Sequence, residues 1–309
     1  MSSILPLSLI EAARDRLLGR IRKTPVLDVT LDNGQNVTLK LESLQISGSF
    51  KIRGALNTVL GLDAAALEKG LVTASGGNHG MGVATAGAMT GTRTSIYLPT
   101  NTPQSKIDKL KKIATDVIVE GAVWDDANAL ALQAAEKGMT YVHPFADESV
   151  IAGQGTLGLE VINQIPDVDV LMVAIGGGGL ISGVSSAVKA VRPDIKVIGV
   201  EATGAPTLKN SIDAGRLVIL DKIETRANTL APRQSAEVNL SIISKNVDDI
   251  VLVTDEAMEE AAKWLWQTCG LAVELAAAAA IAALRSGTYV PAKSEKVGVI
   301  ICGSGQDGL

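Results

Sequence analysis

Cysteine and histidine are scarce, with two of each in 309 residues. Cys269 and Cys302 lie in apolar or glycine-rich surroundings without metal-ligand spacing, which points to reduced, largely buried thiols and a reducing cytoplasm. Surplus basic charge is missing too. Lysine and arginine number 28 against 33 acidic residues, giving a net charge of −5 and a pI near 5.2. No basic run is interleaved with aromatics, which make up 3 % of the chain, so nucleic acid is not an expected partner. No stretch approaches the roughly 18 uncharged apolar residues of a membrane span. The nearest, "LAAAAAIAAL" at 275–284, is short, follows Glu274 and reads as a buried helix. "MSSILPLSLIEAARDRLLGR" meets charged residues too early for a secretory leader, so a cytoplasmic protein with no membrane partner is expected. There is no Pro/Ser/Gly-rich linker, no repeat, and no low-complexity tract beyond the alanines.

The 47 % hydrophobic content suffices for a sizeable core. From about residue 70, apolar runs at 94–99, 116–121, 139–144, 170–179, 195–202, 249–255 and 296–305 read as strands. Segments with helical apolar spacing lie between them, such as "WDDANALALQAAEKG", "GTLGLEVINQI" and "TDEAMEEAAKWLWQTCG". This alternation predicts an α/β protein with mostly parallel sheets, helices on both faces and ligands outside the carboxyl ends of the strands.

Four stretches carry chemistry. In "SGSFKIRGAL" (47–56), Lys51 is set among small residues: either an ordinary exposed lysine or an amine given room for a ligand. In "VLMVAIGGGGLISG", Gly176–Gly179 open a helix, where free backbone N–H groups fit a phosphate or where glycine serves close packing. No Gly-Lys-Ser/Thr follows, and no GxGxxG with its later acidic residue occurs, which disfavours ATP and NAD. In "TASGGNHGMGVATAGAMTG" (73–91), Ser75, Asn78 and His79 sit among glycines before a helix and suit a carboxylate, although His79 could equally be a structural bridge. In "VIICGSGQDGL", Ser304 could meet a ring nitrogen or cap the turn. One amine, one phosphate cradle, one carboxylate site and one hydroxyl describe a phosphorylated aldehyde cofactor.

"SGSFKIRGA", "ASGGNHG", "HPFADESVIAGQGTLGLEV", "GGGGLISG" and "CGSG" resemble, collinearly from about residue 20, the threonine/serine dehydratase and serine racemase family of fold type II pyridoxal-phosphate enzymes. The resemblance implies two open α/β domains: residues 1–59 and 147–309 forming the large cofactor-binding domain, and 60–146 the small one. It makes Lys51 the covalent anchor of pyridoxal 5′-phosphate and the catalytic base, with Phe50 packed near the ring. Asn78 would bond to the phenolic oxygen, Gly176, Gly177, Gly178, Gly179 and Leu180 would hold the phosphate, and Ser304 would face the ring nitrogen. Ser75, Gly76, Gly77, Asn78 and His79 would receive the substrate carboxylate, and Glu274 would lie near the ring.

The implied activity is β-elimination from L-threonine or L-serine, giving a 2-oxo acid and ammonia. The alternatives are a serine racemase type, or a dehydratase for 3-hydroxyaspartate or 3-phenylserine. Racemisation needs a second acid/base on the opposite face, and family racemases carry a serine where this chain has Gly76, which favours elimination. The Mg or Mn site of racemase-like members maps to Glu201 and Ala205, but Thr207 replaces its aspartate, leaving metal dependence in doubt. Asn228 and Thr229 stand where the family has aspartate and glycine. Asp125 and Asp126 occupy the segment where dicarboxylate-handling members carry arginine, which disfavours a second substrate carboxylate, while Trp124 could line a pocket for a bulkier side chain. A catabolic role, no isoleucine feedback and a homodimer are also expected by similarity. A cysteine-synthase-like enzyme would have aspartate where Ile52 stands, and a silent binding protein would be expected to lose Lys51 first.

Overall fold

Runs such as VLMVA at 170–174 and VGVII at 297–301 are buried on both faces, as strands inside a parallel sheet must be. The computed structural model describes residues 5–309. In chain order its elements are α1 (Leu7–Leu17), β1 (Val26–Thr30), β2 (Asn36–Leu41), α2 (Lys51–Leu60), α3 (Ala64–Lys69), β3 (Leu71–Ala74), α4 (Asn78–Thr90), β4 (Thr94–Leu98), α5 (Gln104–Lys111), β5 (Asp116–Val119) and α6 (Trp124–Glu136). They continue with β6 (Thr140–Tyr141), α7 (Glu148–Gln164), β7 (Val170–Ala174), α8 (Gly179–Val191), β8 (Lys196–Ala202), α9 (Thr207–Ala214), α10 (Glu237–Asn246), β9 (Asp249–Val253), α11 (Asp255–Cys269), α12 (Leu275–Arg285) and β10 (Val297–Ile301).

The strands form a six-stranded sheet of order β1-β2-β10-β7-β8-β9 and a four-stranded sheet of order β5-β4-β3-β6. Every pairing is parallel except β1 with β2, where Val26 faces Lys40 and Thr30 faces Asn36. The alanine run is a buried helix, α12, whose residues 275–284 are all inside. It lies against α11 and strands β7 to β10, and small side chains let its backbone come close to the sheet.

Helix α2 packs on both α4 and α7. Its Ile52, Leu56 and Val59 share an apolar cluster with Leu71 and Ile96 of the four-stranded sheet. On the other side, a Cβ on Gly153 of α7 would lie 2.5 Å from the Arg53 carbonyl oxygen and 2.6 Å from the Gly54 Cα, so these two helices touch backbone to backbone. Lys51, the first residue of α2, therefore starts a helix clamped between α4 and α7.

Several element boundaries differ from the sequence reading. The strand expected at 139–144 shrinks to Thr140–Tyr141, and those expected to reach 179 and 305 end at Ala174 and Ile301, where the glycine turns begin. Helix α7 starts at Glu148 and runs through Gly153, Gly155 and Gly158. Glycine weighs against helix locally, and here close helix contacts override that cost. Strand β2 carries Lys40, fully buried, which a search for charge-free strands passes over. Its amine donates to Glu160 (2.6 Å), Gln164 (2.6 Å) and the Thr24 carbonyl (2.7 Å), so the charge is fully partnered.

Candidate active site

Residues 48–50 run antiparallel to 302–304, which sets Lys51 beside the carboxyl end of β10. Phe50 N–H donates to the Cys302 carbonyl (3.1 Å) and Ser304 N–H to the Gly48 carbonyl (2.8 Å). The Lys51 Nζ donates to the Pro144 carbonyl (2.7 Å) and lies 5.2 Å from the centre of the Phe50 ring. Lys51 is half-buried, and the loss of water around its amine pushes the amine down to about 8, opposed by the Glu274 carboxylate. Arg53 takes no part in this. It is fully buried and spends five N–H groups on Glu42, Glu160 and Thr156. The cation two residues after Lys51 is thus neutralised and holds α2 to α7 and to the turn at Glu42–Leu44.

Strand β3 delivers Ser75, Gly76 and Gly77 to the amino end of α4. The first N–H to close onto this end is Met81, to the Gly77 carbonyl (3.1 Å), which leaves the N–H groups of Asn78, His79 and Gly80 free of intrahelical partners, as an anion site requires. Ser75 Oγ accepts from Gly77 N–H (3.3 Å). The His79 ring faces elsewhere: buried, it donates from Nε2 to the Val142 carbonyl (2.8 Å), and burial pushes it down to about 3. Its ring is the structural bridge, so only its backbone N–H is available to a substrate. Trp124 Nε1 donates to the Ala74 carbonyl (2.9 Å) at the edge of this loop, and Asp126 accepts from Ala122 and Val123 N–H as a turn cap.

Asn78 Nδ2 donates to both oxygens of Glu274, at 2.8 and 2.9 Å. Glu274 is pushed up to about 7, chiefly by burial; the Asn78 amide counters this.

After β7 the chain turns through Gly176, Gly177 and Gly178 into α8. Gly178 has φ +93°, a conformation that favours glycine. A Cβ on Gly177 would lie 2.2 Å from the Phe145 ring, and one on Gly176 would lie 2.5 Å from the Thr229 carbonyl oxygen. The Gly177 carbonyl accepts from Ser235 Oγ and Asn239 Nδ2, both at 2.9 Å. Because a peptide's C=O and N–H point opposite ways, this turns the Gly178 N–H toward the cleft. Leu180 is buried behind the loop. A side-chain-free loop with oriented N–H groups at a helix amino terminus fits a phosphate, and the desolvated Lys51 amine fits an aldehyde. Sequence reasoning gave no role to Phe145, although it lies in "HPFADESVIAGQGTLGLEV", nor to Ser235 and Asn239, which lie in no glycine or charge motif; all three act on the backbone of the glycine loop.

Ser304 Oγ donates to the Gly48 carbonyl (3.0 Å) and is exposed in the cleft. The proposed metal ligands do not form a cage. Both Glu201 oxygens accept backbone N–H groups, from Leu208 and Lys209 at 2.8 Å, and Thr207 donates to the Pro232 carbonyl (2.7 Å). Among the described residues no group of three or more His, Cys, Asp or Glu side chains is placed to hold a metal. Glu201 is the one carboxylate in this set, and each of its oxygens already accepts a backbone N–H. A groove of about 500 Å³ opens at the amino ends of β2 and β10, the opposite end of the sheet from Lys51, and does not touch this constellation.

The sequence pattern of the family described as "Pyridoxal-phosphate dependent enzyme" matches residues 17–303. The L-threonine ammonia-lyase of Thermotoga maritima is 40 % identical over 275 residues, 89 % of this chain and 68 % of its own. The serine racemase of Oryza sativa subsp. indica is 35 % identical over 306 residues, 96 % of this chain and 90 % of its own. Among solved structures, the processed threonine deaminase isoform 2 of Solanum lycopersicum superposes with a TM-score of 0.91 at 34 % identity, over 97 % of this chain and 89 % of that one.

Proposed function

The chain belongs to the pyridoxal-phosphate dependent enzyme family, and from that premise we propose that it is an ammonia-lyase that converts L-threonine, and L-serine, to a 2-oxo acid and ammonia. The overall reaction balances without a co-reactant, since the water lost from the β-carbon is regained when the nitrogen leaves as ammonia.

Gly176 to Leu180 would hold the cofactor phosphate, Lys51 the aldehyde, Asn78 the phenolic oxygen and Ser304 the ring nitrogen, with Phe50 beside the ring. Bound pyridoxal phosphate supplies an electron-withdrawing ring that acidifies the α-carbon of an attached amino acid. The Ser75–Gly77 loop and the open N–H groups at the start of α4 bind and orient the carboxylate. Lys51, whose amine sits near 8, takes the α-proton at Nζ. Ser304, a neutral hydroxyl, would leave a bound ring a weaker electron sink than a carboxylate partner would, which suits prompt loss of the β-hydroxyl.

The observation that carries elimination is Gly76: no side chain stands there to return a proton to the opposite face. The serine racemase relatives at 35 % identity make racemisation the reading to test against. Assaying the holoenzyme with L-threonine should release 2-oxobutanoate and ammonia in equal amounts, with both lost in Lys51→Ala together with the absorbance of the lysine-bound cofactor. Turnover by Lys51→Ala at the wild-type rate overturns the assignment of the base.

The division into residues 1–59 with 147–309 and 60–146, the homodimer and the cytoplasmic location belong to the same proposal. The four-stranded sheet lies wholly within 60–146 and the six-stranded sheet wholly outside it, which supports the division. Among the described residues no helix is long and apolar enough to cross a membrane.

A further inference from the structure

Between β6 and α7 the chain turns at residues 143–147, and side chains hold that turn from both ends. Asp147, the residue before α7, does not cap the helix; its carboxylate turns back to accept the His143 N–H (3.0 Å). The His143 ring closes the turn from the other end. Its Nδ1 accepts two backbone N–H groups, from Phe145 (3.1 Å) and Ala146 (2.9 Å), which places the ring proton on Nε2. The Phe145 ring stands edge-on to the imidazole, with 4.7 Å between ring centres.

Each of these two N–H groups shares a peptide unit with a carbonyl that faces the site. Because the C=O and N–H of one peptide point opposite ways, fixing the Phe145 N–H aims the Pro144 carbonyl at the Lys51 amine, 2.7 Å away. Fixing the Ala146 N–H likewise aims the Phe145 carbonyl at the Asn239 amide, 3.0 Å away, and that amide also holds the Gly177 carbonyl of the glycine loop. One ring nitrogen therefore sets two peptide planes, one serving the amine and one serving the cradle.

We propose that His143 is a positioning residue for Lys51: by accepting the Phe145 and Ala146 N–H groups at Nδ1, it presents the Pro144 carbonyl as the acceptor that orients the free Lys51 amine. The inference rests on reading Lys51 as the base, the role it has while its amine is not joined to the cofactor. A neutral amine has two N–H groups and one lone pair, so giving one N–H to a fixed carbonyl limits where the lone pair can point. Only the unprotonated ring offers Nδ1 as an acceptor. Burial favours that form, opposed by the Asp147 carboxylate and supported by the Lys51 charge.

The test compares His143→Leu and His143→Ala, which remove the acceptor, with His143→Asn, whose amide oxygen restores one at the same distance along the side chain. In the holoenzyme, the first two should lower kcat for L-threonine about tenfold or more and leave KM within about twofold, because the hydrogen bonds of the turn do not reach the Ser75–Gly77 loop. His143→Asn should recover most of the loss. In the cofactor-free protein, hydrogen exchange across residues 143–147 should quicken about tenfold or more in the acceptor-free variants and stay near wild type in His143→Asn. Crystals of cofactor-free His143→Ala should show the Pro144 carbonyl beyond about 3.5 Å from Lys51 Nζ. A merely structural role would lower the melting temperature and leave the kcat of the folded enzyme in place. Unchanged kcat in both acceptor-free variants, an unmoved Pro144 carbonyl, or a His143→Asn as slow as His143→Ala overturns the proposal. A wild-type holoenzyme that turns over no 3-hydroxy amino acid would defeat the reading of Lys51 as base instead, while the Pro144 distance would still decide the role of His143.

Discussion

At the scale of single residues, two side-chain facts govern the chemistry: the proton affinity of Lys51 and the missing side chain at position 76. Burial lowers the Lys51 amine to about 8, so its neutral form grows roughly tenfold per pH unit below that value and is nearly complete above it. The rate of 2-oxo acid release at saturating substrate should rise with pH to about 8 and then level off. A flat profile between roughly pH 6 and 9 would contradict the role of Lys51 as base. At Gly76, an added Cβ would lie 3.2 Å from Thr102 Cγ2 and 3.4 Å from Leu98 Cδ2, contacts that small side-chain shifts absorb. Gly76→Ser should therefore fold and should raise D-serine formation from L-serine by about tenfold or more, measured by chiral chromatography. Lys51, Asn78 and the glycine loop were legible because each lies in a motif dense in small residues. Two readings needed coordinates: the His79 ring turns away to the Val142 carbonyl, and Arg53 is sealed by Glu42 and Glu160.

At the scale of elements, the placement of Lys51 depends on how closely α2 and α7 approach. Gly153→Ala would push a methyl group into the backbone at Arg53 and Gly54, where no flexible side chain can give way. It should cost about 1–3 kcal/mol in stability, read from the urea midpoint, and should weaken cofactor retention because the start of α2 moves. Unchanged stability would mean that the two helices do not touch there. The later strands were legible from short apolar runs alternating with helical segments, whereas β1, β2 and β3 were not. Residues Val26–Thr30 of β1 are mostly exposed, β2 hides Lys40 in an ion pair, and β3 has only four residues. Charge in a strand argues against burial until its partner is known, and Glu160 lies 120 residues from Lys40.

At the scale of the whole molecule, the segments that meet at the cleft come from both sheets and from the far ends of the chain: Lys51, Asn78, the Gly176 loop, Glu274 and Ser304. Glu201 accepts the Leu208 and Lys209 N–H groups at the amino end of α9 and Thr207 donates to Pro232, so the cleft is expected to hold together without a divalent cation. Prolonged treatment with EDTA should leave both turnover and melting temperature unchanged. Loss of either, restored by magnesium or manganese, would show a cation bound after all.

The central claim, elimination by a site with one base and no acid opposite it, is tested most directly by following L-serine with the purified holoenzyme and measuring pyruvate and D-serine in the same reaction. Pyruvate should accumulate with ammonia while the remaining serine stays in the L form. D-serine appearing as fast as pyruvate, or no pyruvate from L-serine and no 2-oxobutanoate from L-threonine, would contradict it.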